Sequence, residues 1–147
     1  MKKLILIAFV LAAAYFVVAE SGLVTTQRTG VVDTVSGGDQ IFTDAFAKHR
    51  RNVQGQGDGI VTRVLADDND GSRHQRFIIQ LGSGQTLLIA HNIDLAGRID
   101  SLKEGDRVAF HGEYEWNPQG GVIHRTHHDP AGRRLSGWVK HNGRTYQ

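Results

Sequence analysis

From residue 60 onward the chain alternates apolar and polar positions in short runs separated by turn residues, the pattern of β-strands rather than helices. Ile60–Leu65 is rich in β-branched residues and ends at the polar loop Asp67-Asp68-Asn69-Asp70-Gly71. In Arg76–Leu81 the residues Phe77, Ile79 and Leu81 share one face, and Gly82-Ser83-Gly84 turns the chain into a third strand, Gln85–Ile93. A connection over Asp94–Glu104 follows. Gly105-Asp106 then introduces Arg107–Trp116, where Val108, Phe110, Gly112 and Tyr114 alternate with Ala109, His111, Glu113 and Glu115. Asn117-Pro118-Gln119-Gly120 leads into a fifth strand, Val122–His127. The chain closes with Trp138–His141 and Arg144–Gln147 around Asn142-Gly143, the favoured two-residue hairpin turn. That turn pairs His141 with Arg144 and Val139 with Tyr146.

Upstream the period changes. Phe42, Ala45, Phe46 and His49 recur at helical spacing, so a short helix is predicted over 39–52, with Asp39 as its cap and Lys48, Arg50 and Arg51 in its last turn. The glycines of Asn52–Gly59 read as the end of that element. Residues 20–38 are rich in Ser, Thr, Gly and Val without a sustained period, and read as a linker. Residues 1–19 have the layout of a secretory signal peptide: a basic start at Lys2-Lys3, an apolar run from Leu4, and small residues before a cut after Ala19. The alternative is an uncleaved membrane anchor, although the run falls short of the roughly 20 residues that span a bilayer. The expected organisation is therefore a leader (1–19), a linker (20–38), a short helix (39–52) and a β-domain (53–147). Five strands with a connection rather than a hairpin between the third and fourth indicate an all-β domain, a small OB-like five-stranded barrel plus a C-terminal hairpin. An SH3-like barrel or open antiparallel sheet is the competing architecture.

Charge narrows the partners. Lys2 and Lys3 leave with a cleaved leader, which balances the chain's 17 Lys and Arg and 15 Asp and Glu to zero. No global positive field then drives nucleic-acid binding, and any anion site must come from local clustering. The absence of cysteine removes a disulfide scaffold. The expected location is periplasmic or secreted, with membrane contact only through an uncleaved N-terminal segment.

The candidate chemistry gathers in Gly121–Pro130, which holds His124, His127, His128 and Asp129. Imidazole and carboxylate bind metals and move protons near neutral pH. On an extended strand His124 and His128 share a face, so His124, His128 and Asp129 are candidate ligands for a divalent metal. Glu113 and Glu115, on the face of His111, form a second candidate pair, able to hold a divalent cation or, at Glu113, to act as a general base. Arg73, His74, His91, Arg125, Trp138 and His141 would add a His/Arg/aromatic face of the kind with which OB barrels hold anionic chains. No Ser or Cys nucleophile motif, phosphate-binding loop or dinucleotide fingerprint is present. The acidic loop at 67–71 fails as a calcium loop, because Ala66 and Phe77 would occupy ligand positions.

The phrases GSRHQRF (Gly71–Phe77), AHNIDL (Ala90–Leu95), GDxVxFxGEYEWN (Gly105–Asn117), GGVIHxTHHDP (Gly120–Pro130) and GWVKHNGRTYQ (Gly137–Gln147) together resemble an uncharacterised bacterial family of short exported proteins carrying a domain of unknown function. The resemblance covers Val53 to Gln147 and implies export but no activity. Between His124 and Thr126, where it implies an aromatic, this chain has Arg125. The functional expectation is an exported, non-enzymatic binding module for an anionic polymer, a small anion or a metal. A metal-assisted hydrolase of phosphodiesterase type and a structural component of the cell envelope are the alternatives.

Overall fold

The computed structural model describes residues 37–147; the expected leader and nearly all of the expected linker lie outside the described residues. One helix, α1 (Gly37–Ala47), precedes seven strands: β1 (Arg51–Val64), β2 (His74–Leu81), β3 (Thr86–Asn92), β4 (Arg107–Glu115), β5 (Val122–His124), β6 (Trp138–His141) and β7 (Arg144–Tyr146). Among the described residues no helix is long and apolar enough to cross a membrane.

Neighbouring strands run β1-β2-β3-β5-β4, and β4 pairs back with β1, so five strands close into a barrel. β3 and β5 are parallel, and the other neighbours are antiparallel. This is the OB-like barrel that the strand pattern predicts. The hairpin β6–β7 extends the sheet from β4 and has the predicted register, His141 opposite Arg144 and Val139 opposite Tyr146. Asn142 and Gly143 both take the positive φ of its turn, 48° and 76°.

The alternating apolar residues face inward. Phe77 and Ile79 of β2, Ile89 of β3, Phe110 and Tyr114 of β4, Ile123 of β5 and Val139 of β6 are fully buried. Phe42 of α1 plugs one end, its ring centroid 5.5 Å from Phe110 and 5.9 Å from Tyr114. The connection after β3 buries Ile99, whose backbone N–H donates to Gln75 (2.9 Å) and whose carbonyl accepts from it (3.0 Å).

Two boundaries differ from the sequence expectation. The helix is described over Gly37–Ala47, so Asp39 lies within the element, and its carboxylate accepts from the Ser83 N–H (3.1 Å). His49, at φ 49°, closes the helix in a left-handed conformation, with Arg50 N–H donating to Ala45 O (2.8 Å) and His49 N–H to Phe46 O (3.1 Å). The segment 52–59, read as a glycine-rich break, is part of β1. Its glycines are spaced by two and make room for the helix: a Cβ on Gly55 would lie 2.9 Å from Phe42, and one on Gly57 3.2 Å from Phe42 and Phe110. The second correction is β5. It stops at His124 because Arg125 turns left-handed (φ 56°), so Thr126, His127 and His128 leave the strand.

Candidate metal centre

The turn at Asn117–Gly120 folds β5 back on β4, and the register sets Glu113 opposite His124 and Glu115 opposite Val122. Tyr114 and Ile123 point into the barrel, so strand alternation places Glu113, Glu115 and His124 on its outside. One ligand atom of each lies within 4.8 Å of the others. His124 Nε2 stands 3.5 Å from Glu113 Oε1 and 3.9 Å from Glu115 Oε1. These separations are too long for hydrogen bonds. They lie near the edge of about 3.4 Å spanned by two ligands that share one ion at roughly 2.1 Å.

His124 Nε2 is itself buried and has no hydrogen-bond partner. Burial lowers the imidazole pKa below its ordinary 6.5, outweighing the upward pull of Glu113. The neutral ring, the form that ligates metals, therefore dominates at pH 7.

The surroundings hold the carboxylates in place. Glu113 is buried although it belongs to the outer face. Its Oε2 accepts from Arg125 Nη1 (2.8 Å) and from Gln54 Nε2 (2.8 Å), Gln54 being its cross-strand neighbour on β1. That leaves Oε1 toward His124, an arrangement in which outer partners orient a ligand. Asn52 donates its backbone N–H to Glu115 Oε1 (3.2 Å). With its amide nitrogen turned to the carboxylates, Asn52 also reaches Glu115 at 3.0 Å and Glu113 at 3.2 Å. The donor set of one imidazole and two carboxylates suits zinc and similar divalent ions, and three protein ligands leave a further position open. Beside it runs a groove of about 340 Å³, floored by Ala90 and Val122 and walled by His74 and Arg76, with His124 and Glu115 at its edge.

Of the other residues singled out from sequence, Arg125 and Glu113 belong to this centre and His74 to its groove. His128 donates or accepts at Ser136 Oγ (3.0 Å). Asp129 organises the loop after it: its carboxylate accepts from the N–H groups of Arg133 (2.7 Å), Arg134 (3.0 Å) and Ala131 (3.4 Å). Burial raises the Asp129 pKa, but these donors prevail and hold it below 3.8. Neither His128 nor Asp129 is part of the cluster around His124. Arg73 is paired with Asp94 (2.7 Å). His91 lies inside the barrel, its Nδ1 2.7 Å from Thr126 Oγ1 and its Nε2 3.1 Å from Gly97 O. His141 is buried against Asp106 (2.8 Å). Hydrogen bonds from Lys103 and then from His141 bring the Asp106 pKa down to about 2. Trp138 lines a different groove with Ile41, Asp58 and Lys140. The expected convergence of His74, His91, His124, His128 and His141 on one face therefore does not occur, because His91 and His141 face inward.

Gln54 and Asn52 complete the picture and were not assigned to a site from sequence. Glu115 was read as one of a pair with Glu113, apart from His124; the turn at Asn117–Gly120 was the available signal for joining them, since folding β5 back through it sets His124 against the two glutamates.

The fold and the cluster define a small closed β-barrel with a histidine–carboxylate centre on its outer wall. The chain belongs to the family described as a protein of unknown function (DUF3465), whose model matches residues 25–147. No curated protein matches the chain.

Proposed function

We propose that this protein is a binding module that holds one divalent cation of the zinc type through Glu113, Glu115 and His124. The observation that carries the reading is His124 Nε2: buried, without a hydrogen-bond partner, and set between two carboxylates at the spacing of shared coordination. A buried imidazole nitrogen left unpaired costs free energy in the fold, and an ion between it and the glutamates removes that cost. Several basic groups that could attract a polyanion are already engaged. Arg73, Arg125 and Arg134 are each paired with a carboxylate. Lys140 and Arg144 lie over the rings of Trp138 and Tyr146.

Calorimetric titration of the untagged full chain with Zn²⁺ tests the proposal. One equivalent is expected to bind, and His124→Ala is expected to weaken binding at least about tenfold while leaving the melting temperature nearly unchanged. Undetectable binding, or binding indifferent to His124→Ala, contradicts it.

A further inference from the structure

The groove beside the cluster points to what the cation would present itself to. Resting on the cation reading above, we infer that the groove takes an anionic oxygen group, a carboxylate or a phosphoryl, which bridges the bound cation and Arg76, and that it does so only once the cation is in place.

Arg76 carries the argument. Its Nε and Nη2 both donate to Ala66 O (3.2 and 3.1 Å), which fixes the guanidinium at the groove wall. A carbonyl oxygen carries no charge to neutralise it, and none of the ion pairs among the described residues includes Arg76. The arginines nearest in role, Arg73 and Arg125, each have a carboxylate. His74 is anchored in the same way. Ser72 O can only accept, so the contact of 2.7 Å makes Nδ1 the donor and leaves Nε2 open to a ligand. The floor explains why there is a groove. Ala90 stands opposite Arg76 on β3, and its methyl group replaces the bulk that Ile78 and Leu88 supply at the next cross-strand pair. A ligand with a charged oxygen end and a short apolar body fits such walls and floor.

Charge sets the order of binding. Asp68 and Glu115 also border the groove, so without a cation its rim has two negative charges against one from Arg76 and repels anions. Glu113 and Arg125 neutralise each other. A divalent cation reverses the balance and offers an open coordination position beside a fixed guanidinium. Because coupling between two bound ligands is reciprocal, an anion that needs the cation must tighten cation binding by the same factor.

The test is Zn²⁺ titration of the full chain in three series: without added anion, with acetate, and with methyl phosphate. At least one anion is expected to raise the affinity for Zn²⁺ about tenfold, and the stronger one identifies carboxylate or phosphoryl as the preferred group. Complexation in free solution would lower the apparent affinity, so it cannot imitate this result. Arg76→Gln is expected to abolish the enhancement while still binding Zn²⁺ in the absence of anion. Equal Zn²⁺ affinity in all three series, or full enhancement in Arg76→Gln, overturns the inference while leaving the cation site standing. Failure of Zn²⁺ to bind in any series overturns the cation reading itself.

Discussion

His91 sits inside the barrel with both ring nitrogens committed. Gly97 O makes Nε2 the N–H donor, and Nδ1 then accepts from the Thr126 hydroxyl. Burial, the dominant cause, lowers its pKa from 6.5 to about 4. In acid the unfolded chain takes up a proton at this position before the folded chain does. The contribution of His91 is complete above pH 6.5 and is lost between 6.5 and 4, by about 3 kcal/mol in all. Melting curves at pH 7.5 and pH 5 should show a clear fall for the parent chain and a distinctly smaller one for His91→Gln; equal falls would refute the assignment. The same residue marks a limit of sequence reading. Alternation along β3 is legible, but a histidine at an inward position and one at an outward position look alike until a partner such as Thr126, 35 residues away in sequence, is brought beside it. Glu113 and His124 were each legible as candidates, whereas their partnership required a cross-strand register.

Helix α1 and strand β1 show the same limit for elements. The helical spacing of Phe42 and Ala45 was readable, and both are buried. Glycines at 55, 57 and 59 read as a break because glycine is ordinarily costly in a strand. Here the spacing of two at Gly55 and Gly57 is the informative feature, since it clears the inward side of β1 for the Phe42 ring, while Gly59 lies against the Gln80 backbone. Gly57→Val should therefore overpack this junction and destabilise the chain by about 1–3 kcal/mol. Urea denaturation measures it, and a loss near zero would show that α1 does not depend on the glycine track. The Asn142-Gly143 hairpin is the opposite case, with turn type and register both determined by two adjacent residues. β5 was over-extended because nothing in the residue type of Arg125 announces a left-handed backbone.

At the scale of the molecule, the barrel was legible from strand count, turn residues and the one long connection. Its closure through the β1–β4 pairing explains why the site was only half visible. Gln54 from the start of the barrel, Glu113 from β4 and Arg125 beyond β5 meet only when the sheet closes. The central claim concerns which side chains ligate, and the X-ray absorption spectrum of the untagged full chain loaded with one equivalent of Zn²⁺ addresses it most directly. A shell of nitrogen and oxygen with the scattering signature of a single imidazole, lost in His124→Ala, is expected. A signature of two or more imidazoles would place His128 or His74 on the metal instead, and with zinc that is not retained at all it would contradict the centre formed by Glu113, Glu115 and His124.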